Sequence, residues 1–545
     1  MTSNIHTPEG VRDITPSEFE KKRDIENRLL DVMKSDGYRL MQTPSFEYFD
    51  VFANNIGMTP SRELYKFFDK EGNTLVLRPD FTPAMARAFS KLYFDEMSPV
   101  RLCYCGNTFV NGSDLNGRYK EITQIGAEFY NDGSANADAG MISLAISCMK
   151  AAGFNDFIVS IGNANFFRGL CEMLGISDEN ELVIRELISA RSYYKAEEIL
   201  TQQNIDKEYI DLIVHISDRY TTRDSLTDLR KKMGNKKCKD AIDRLISIFD
   251  ILEDDGFGKY ISIDLGLLNK YNYYTGVLFR AYTYGFGDAL IKGGRYDNLV
   301  KEFGKDTTAI GFGISVDELL IALREQEESG NDRSGEYLTI ALTKGRLADK
   351  TLALLEKTGI TCEEMKDKET RKLIFVNEDL KLRFFLAKGP DVPTYVEHGV
   401  ADIGVVGKDT IEEEDRKIYE VLDLKFGKCR MCVCGPKSAE SLLRTRDMIK
   451  VSTKYPRIAK AYFNDVRHQS VDMIKLNGSI ELAPIVGLSD VIVDIVETGS
   501  TLRENGLTIL EEIFDISARM VVNPVSMRLN AKRINDLIAK VKEEL

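Results

Sequence analysis

Residues suited to holding a phosphorylated sugar gather in one stretch, Val491-Ile-Val-Asp-Ile-Val-Glu-Thr-Gly-Ser-Thr-Leu502. Gly499 lets the main chain come close to an anion. The successive N–H groups of such a turn converge on it, and Thr498, Ser500 and Thr501 add hydroxyl donors. The carboxylates of Asp494 and Glu497 can accept the hydrogen bonds of a vicinal diol. A phosphate cradle beside a diol acceptor describes a ribose 5-phosphate. A glycine among hydroxyl residues is also the composition of an ordinary turn, so the surrounding elements decide.

Those elements are strands that end where the chemistry begins. Val491, Ile492 and Val493 lead into Asp494 as a buried strand reaching its carboxyl edge. A second such junction starts at Tyr337 and runs through Thr343 into Lys344-Gly345-Arg346, with a helix to Thr358. Ligands of α/β sheets sit at this edge, so Lys344, Gly345 and Arg346 are assigned to phosphate contacts. Strand–turn–helix units at 373–376, 382–387, 392–399 and 403–406 complete an α/β pattern. Lys475 and Glu481 flank an Asn-Gly-Ser turn that can line the same cleft. His398, at the end of Tyr-Val-Glu-His-Gly, suits a helix C-terminus better than a general base. Neither Gly-rich region has the spacing of a Walker loop or a dinucleotide fingerprint.

Upstream, the polar run Arg324 to Gly335 divides the chain into residues 1–325, a linker at 326–336, and residues 337–545. The first part opens with an extended segment broken by two prolines. A helix follows over 17–37, capped by Ser17 and stopped by Gly37. Next come a strand-like stretch within 38–52, a strand running from Leu75 into a turn, a helix through Phe89, and an antiparallel pair at 100–104 and 121–129. Residues 177–255 carry apolar residues at helical spacing and form a helical insert with a solvated charged face.

At 545 residues, 43% hydrophobic and 29% charged, the chain has room for several cores. Its net charge of −13 argues against non-specific binding to a nucleic-acid backbone. No apolar run spans a bilayer, and the N-terminal residues lack a signal pattern, so a cytoplasmic location with no membrane partner is expected. The nine cysteines show no secreted framework. Cys429, Cys432 and Cys434 lack a fourth ligand at zinc-knuckle spacing; their alternation reads as a strand with buried thiols, and no metal ligands are assigned.

Residues 1–325 resemble a histidyl-tRNA synthetase core, a class II antiparallel-sheet domain of α+β type. The carrying motifs fall in order: Pro8-Glu-Gly-Val-Arg-Asp13, the segment around Pro44, Leu77-Arg-Pro-Asp80 with Thr82, Gln124-Ile-Gly-Ala-Glu128, Tyr273-Tyr-Thr-Gly276 and Gly293-Gly-Arg-Tyr-Asp297. Three catalytic arginines of that family are replaced, by Val110, Asn269 and Glu318. Adenylation needs fixed positive charge on the triphosphate, so this half should not activate an amino acid, and no tRNA is expected. The resemblance implies a retained histidine pocket of Asp80, Thr82, Gln124, Glu128, Tyr274 and Tyr296. The same pattern resembles the regulatory, synthetase-like subunit of ATP phosphoribosyltransferase.

Residues 337–545 resemble the short-form catalytic subunit of ATP phosphoribosyltransferase. The ordered motifs are Thr343-Lys-Gly-Arg346, Asp391 to Asp409, Thr453-Lys-Tyr-Pro456, Lys475 to Glu481 and the loop from Asp494 to Leu502. The resemblance implies a two-lobed α/β fold like a type II periplasmic-binding protein, with lobe one at 337–430 and 517–545 and lobe two at 431–516. It implies transfer of a phosphoribosyl group from phosphoribosyl pyrophosphate to N1 of ATP, with Mg²⁺ on the pyrophosphate. Arg371 and Arg383 match arginines that clamp that leaving group, and Asp494, Glu497, Thr498, Gly499, Ser500 and Thr501 hold the phosphoribosyl group. The chain stops before any C-terminal histidine-sensing domain of the long form. Histidine is expected as inhibitor, through either the synthetase-like pocket or a seam between the halves, and a homo-oligomer is expected. Two other classes stay open at this point: a working amino-acid ligase and a non-enzymatic ligand-binding module.

Overall fold

A computed structural model describes residues 5–52, 59–112, 119–189, 193–216, 222–268, 274–284, 286–329, 337–366, 372–445 and 448–545. The chain forms two compact units, Met1–Ser334 and Gly335–Leu545. Among the described residues no helix is long and apolar enough to cross a membrane.

The first unit is built on an eight-stranded sheet in the order Arg39–Leu40, Val100–Phe109, Glu121–Tyr130, Ala309–Ser315, Ile291–Arg295, Val277–Thr283, Phe157–Asn163, Ile261–Ile263. Its six inner strands pair antiparallel, and one parallel strand is added at each edge. Helices Pro16–Ser35, Ala135–Ala152 and Val316–Ser329 share a core with this sheet through Leu29, Met33, Ile125, Ile142 and Leu319. A second core holds Phe81, Phe89, Tyr104, Tyr130 and Tyr296. The first helix starts at Pro16 and is capped by Thr15, whose hydroxyl accepts from the Glu18 N–H at 3.4 Å, instead of by Ser17. Proline has no N–H to lose at the first helical position, which moves the cap one residue upstream of it.

The insert is helical at Asp178–Ser189, Tyr193–Gln202, Lys207–Val214, Arg223–Lys232 and Lys236–Asp254. The last of these packs on helices Ala164–Leu174 and Ala135–Ala152. The polar run expected as a linker is helical at its start, because Val316–Ser329 continues through residues 324–329. Glu, Gln and Arg are good helix formers, and Gln326 is tied down by donating to Thr283 Oγ1 and the Tyr284 carbonyl, both at 3.0 Å. Residues 330–336 of that expected linker lie outside the described residues.

The second unit contains two sheets. A six-stranded sheet runs Ile374–Asn377, Leu382–Ala387, Leu338–Thr343, Ile403–Gly407, Ala518–Val522, Tyr419–Asp423; a five-stranded one runs Ser470–Lys475, Met448–Thr453, Val491–Val496, Cys429–Gly435, Thr508–Ile516. The chain leaves the first sheet after Asp423 and returns between Ile516 and Ala518, so two short segments join the lobes. Beside these crossings lies a buried charge cluster. Lys408 Nζ is 2.6 Å from both Glu412 and Glu420, and Arg519 is 3.5 Å from Glu420 and 3.4 Å from Asp423. Cys429, Cys432 and Cys434 lie on a strand, all nine cysteines are free thiols, and His398 closes helix Val392–Glu397.

A buried ion pair joins the first and last helices of the first unit. Lys22 Nζ lies 2.7 Å from Asp317 Oδ1, and Asp317 Oδ2 accepts the Thr123 N–H at 2.6 Å. Lys22→Ala strands a buried carboxylate and is expected to cost about 3 kcal/mol or more. Urea denaturation of the variant against the parent checks it, and a loss within about 0.5 kcal/mol would show the pair to be dispensable.

Candidate functional site

In the second unit the chemistry lies at the carboxyl edges of the two sheets. Lys344 follows strand Leu338–Thr343, and its N–H donates to the Ala387 carbonyl at 2.8 Å. Gly345 has φ +104° and caps helix Arg346–Lys357, a conformation that suits glycine. Across the cleft, Gly499 has φ +70° and starts the short helix Ser500–Glu504. The Thr498 and Ser500 hydroxyls stand 3.0 Å apart. Arg346 comes within 3.7 Å of the Glu497 carboxylate, so the Lys-Gly-Arg turn and the hydroxyl-rich loop face one another. Both side chains are largely exposed, which leaves this pair open to an incoming anion.

Asp494 lies within strand Val491–Val496, opposite Cys432. Burial pushes its carboxyl up to about 6, and the charge of Glu481 adds to this, while the Ile495 N–H and Lys454 pull the other way. Strand pairing sets Thr453 beside both Val493 and Lys475, so Lys454, Lys475 and Asp494 share one edge.

Two contacts that bridge the lobes use residues to which sequence reasoning assigned no role. The Tyr455 hydroxyl donates to Asp409 Oδ2 at 3.4 Å, and burial pushes the Asp409 carboxyl up. Glu413 accepts from the backbone N–H groups of Arg457 and Ile458 at 3.1 Å each. The signal for the first contact was available, since Asp409 and Tyr455 both lie inside recognised motifs.

Of the expected clamp, one residue is among the described residues. Arg383 stands opposite Thr339, four residues before the register that places Ala387 opposite Thr343. That is about 13 Å back along the strand, and its guanidinium lies 5.2 Å from the Tyr337 ring centre. The motif located the strand, and its register sets Ala387, not Arg383, beside the Lys344 turn. Arg371, the other expected clamp residue, lies outside the described residues.

In the first unit the structure brings the expected pocket residues together. Glu128 is fully buried, accepting from the hydroxyls of Thr82 at 3.1 Å and of Tyr296 in a short contact. Tyr130 stands 3.5 Å behind Tyr296. Gln124 donates to Asp80 at 3.2 Å, and the Phe81 N–H does so at 2.8 Å. The Asp80 loop is anchored by Arg78, which donates to the carbonyls of Asn107, Thr43 and Pro44 at 2.8, 2.9 and 3.2 Å.

The pocket floor is made of glycine. A Cβ on Gly311 would stand 1.6 Å from Glu128 Oε2, one on Gly313 would stand 2.3 Å from Gln124 Nε2, and one on Gly294 would stand 2.6 Å from the buried Tyr274 ring. Burial pushes the Glu128 carboxyl up to about 8, the nearby Asp80 charge adds to this, and the bonds from Tyr296 and Thr82 oppose it. Burial also raises Asp80. Two carboxyls ringed by hydroxyls and aromatic faces have the chemistry to accept an ammonium group.

At two of the three positions where a synthetase carries an arginine, the described residues offer no cation. Val110 is pinned by its N–H to the Lys120 carbonyl at 2.8 Å, and Glu318 lies in the first turn of helix Val316–Ser329. Asn269, the third position, lies outside the described residues, as does Tyr273.

Comparison with known proteins divides the chain in the same way. Residues 10–319 match the histidyl-tRNA synthetase family and residues 388–543 the ATP phosphoribosyltransferase family. An ATP phosphoribosyltransferase from Lachnoclostridium phytofermentans is 68% identical over 210 residues, covering 38% of this chain and 98% of that protein. An ATP phosphoribosyltransferase regulatory subunit from Acetivibrio thermocellus is 36% identical over 360 residues, covering 66% of this chain and 86% of that protein. The crystal structure of an ATP phosphoribosyltransferase regulatory subunit/histidyl-tRNA synthetase from Bacillus halodurans superposes with a TM-score of 0.56 at 26% identity, covering 71% of this chain and 99% of that one.

The buried Glu128 gives a pH signature. Its ordinary value of 4.5 rises to about 8 on folding, so between these the folded chain keeps a proton that the unfolded chain has lost. Stability of the ligand-free protein therefore falls as pH rises through that window. Glu128→Gln removes the ionisation, and its urea midpoint is expected to fall less than the parent's between pH 5 and 8. Parallel profiles for the two proteins would contradict the shift.

Proposed function

Since the chain belongs to the histidyl-tRNA synthetase family in its first unit and to the ATP phosphoribosyltransferase family in its second, it is an ATP phosphoribosyltransferase joined to a synthetase-like regulatory half, and we propose that the first unit binds histidine and lowers turnover in the second. In the reaction, the lone pair of ATP N1 forms a bond to C1 of phosphoribosyl pyrophosphate. The C1–oxygen bond breaks, and pyrophosphate departs with the electron pair. The centre between them resembles an oxocarbenium ion, so positioning and fixed charge carry the rate.

The observation that supports this reading best is the approach of Arg346 to Glu497 across the cleft at 3.7 Å. It sets a cationic turn against a diol-and-phosphate loop, as a substrate with a phosphate at each end requires. We assign Asp494 and Glu497 to the ribose hydroxyls, Thr498, Gly499, Ser500 and Thr501 to the 5-phosphate, and Lys344, Gly345 and Arg346 to ATP or pyrophosphate oxygens. Arg371 is proposed for the pyrophosphate on family resemblance alone. The two sheets joined by two crossings fit a type II periplasmic-binding-protein-like architecture, in which the lobes close on a ligand.

Among the described residues no group of three or more His, Cys, Asp and Glu gathers as a metal cage. On family resemblance, Mg²⁺ is proposed to enter with the pyrophosphate. When bound there, Mg²⁺ neutralises charge on the leaving group.

In the first unit, Glu128 and Asp80 face the α-ammonium or the imidazole of histidine, with Tyr274 and Tyr296 as walls. We also propose a homo-oligomer. Phe46, Tyr48 and Phe67 are exposed apolar residues on one face of the three-stranded sheet Phe46–Tyr48, Lys66–Phe68, Thr74–Leu77, and a second copy would cover them.

The test is the initial rate of phosphoribosyl-ATP formation with Mg²⁺, with and without histidine. Asp494→Asn is expected to lower kcat/KM for phosphoribosyl pyrophosphate by about 10²-fold. Histidine is expected to inhibit the parent but not Glu128→Ala. A rate indifferent to histidine in the parent would remove the sensor and keep the enzyme.

A further inference from the structure

Asp138 touches no pocket residue side chain among those assigned to the ligand, yet it gathers two arginines from distant parts of the first unit. It is fully buried in the first turn of helix Ala135–Ala152. Arg295 reaches its Oδ1 through Nε at 3.0 Å and Nη2 at 2.5 Å, and Arg244 reaches its Oδ2 through Nε at 2.7 Å. The same guanidinium groups donate to the carbonyls of Asp132 at 3.2 Å and Gly133 at 2.6 Å, so the two straddle the loop that enters the helix.

Each arginine leads somewhere different. Arg295 precedes Tyr296, whose hydroxyl holds Glu128. The Arg295 carbonyl also accepts from Thr275, through its N–H at 2.8 Å and its hydroxyl at 3.4 Å, and Thr275 follows Tyr274. Both pocket tyrosines thus hang on the backbone of one residue, and Asp138 fixes that residue's side chain. Arg244 belongs to helix Lys236–Asp254 of the insert. Charge-assisted bonds of this kind are directional, and a buried carboxylate that loses one cation no longer holds the other in the same balance.

We propose that Asp138 is the positioning residue of the amino-acid pocket and that, through Arg244, it makes ligand binding there depend on the helical insert. The proposal rests on the reading that histidine occupies this pocket. The insert is then part of the sensor, acting through one ion-pair relay without touching the ligand.

The experiment is calorimetric titration of the intact chain with L-histidine, alongside basal phosphoribosyl transfer. Arg244→Ala is expected to weaken histidine binding by at least about fivefold, the low end of a typical coupling between sites. Its kcat and KM without histidine should be unchanged, and Arg244→Lys, which keeps the cation, should recover most of the affinity. Asp138→Asn should weaken binding further; if that variant does not fold, the Arg244 pair carries the test, because the Arg244 side chain is 27% exposed. Arg244→Ala binding histidine like the parent, while Glu128→Ala does not bind it, would overturn the relay and leave the pocket reading standing. Glu128→Ala binding like the parent would overturn both. A loss that Arg244→Lys fails to rescue, or that comes with lower basal turnover, marks general damage and also overturns the relay.

Discussion

A carboxyl group with no access to water is the constraint around which the first unit is arranged. Glu128 lies fully buried on the glycine floor of an antiparallel sheet, and burial, helped by the nearby Asp80 charge, keeps its proton on near neutral pH. Satisfying it takes hydroxyls from two other elements, Thr82 at the start of one helix and Tyr296 after a strand. Tyr296 in turn is placed by Arg295, and Arg295 by Asp138. Each step is a buried polar group that demands a partner, so one expensive group propagates order outward. The same demand explains the glycines: at Gly311 any side chain would occupy the space of the Glu128 oxygen.

The second unit solves a different problem, because its substrates bring the charge with them. The groups assigned to them, Lys344, Arg346 and the loop from Glu497 to Thr501, are mostly exposed and are held by backbone geometry more than by side-chain networks. Its buried charges sit elsewhere. Lys408, Glu420, Arg519 and Asp423 flank the two crossings between lobes, where a rigid, mutually neutralised cluster keeps the segments joining the lobes in register. Exposed groups on a firm base suit a cleft proposed to take anionic substrates.

What could be read in the sequence follows the same division. Strand-to-turn junctions carry their signal locally, so Lys344, Gly345, Arg346 and the Asp494 loop were legible, as was the strand holding Cys429, Cys432 and Cys434. The antiparallel pair and the helical insert were legible from periodicity. Register was not. Arg383 lies on the strand its motif indicated, and that it pairs with Thr339 and not Thr343 follows only from the register with Leu338–Thr343. The linker boundary failed because a polar, charged run has the composition of a solvated helix as well as of a coil, and only the bonds from Gln326 decide between them. Asp138 and Arg244 were invisible for the plainest reason: 106 residues separate them, and no local pattern marks a buried ion pair.

The replaced arginines connect the two halves of the argument. A synthetase pocket binds its amino acid, whose carboxylate then attacks the α-phosphate of ATP and expels pyrophosphate, which needs fixed cations on the triphosphate. With Val110 and Glu318 in their places, the remaining carboxyls and tyrosines can bind an amino acid but lack the charge to activate it. Binding without reaction is what a sensor requires, since a ligand that is consumed cannot hold an equilibrium. An effector shifts turnover only as far as its affinity differs between the two states of the protein. A pocket whose walls hang on a relay extending into the insert can supply such a difference: any state that moves helix Lys236–Asp254 relative to Asp138 also changes how tightly Tyr274 and Tyr296 are held.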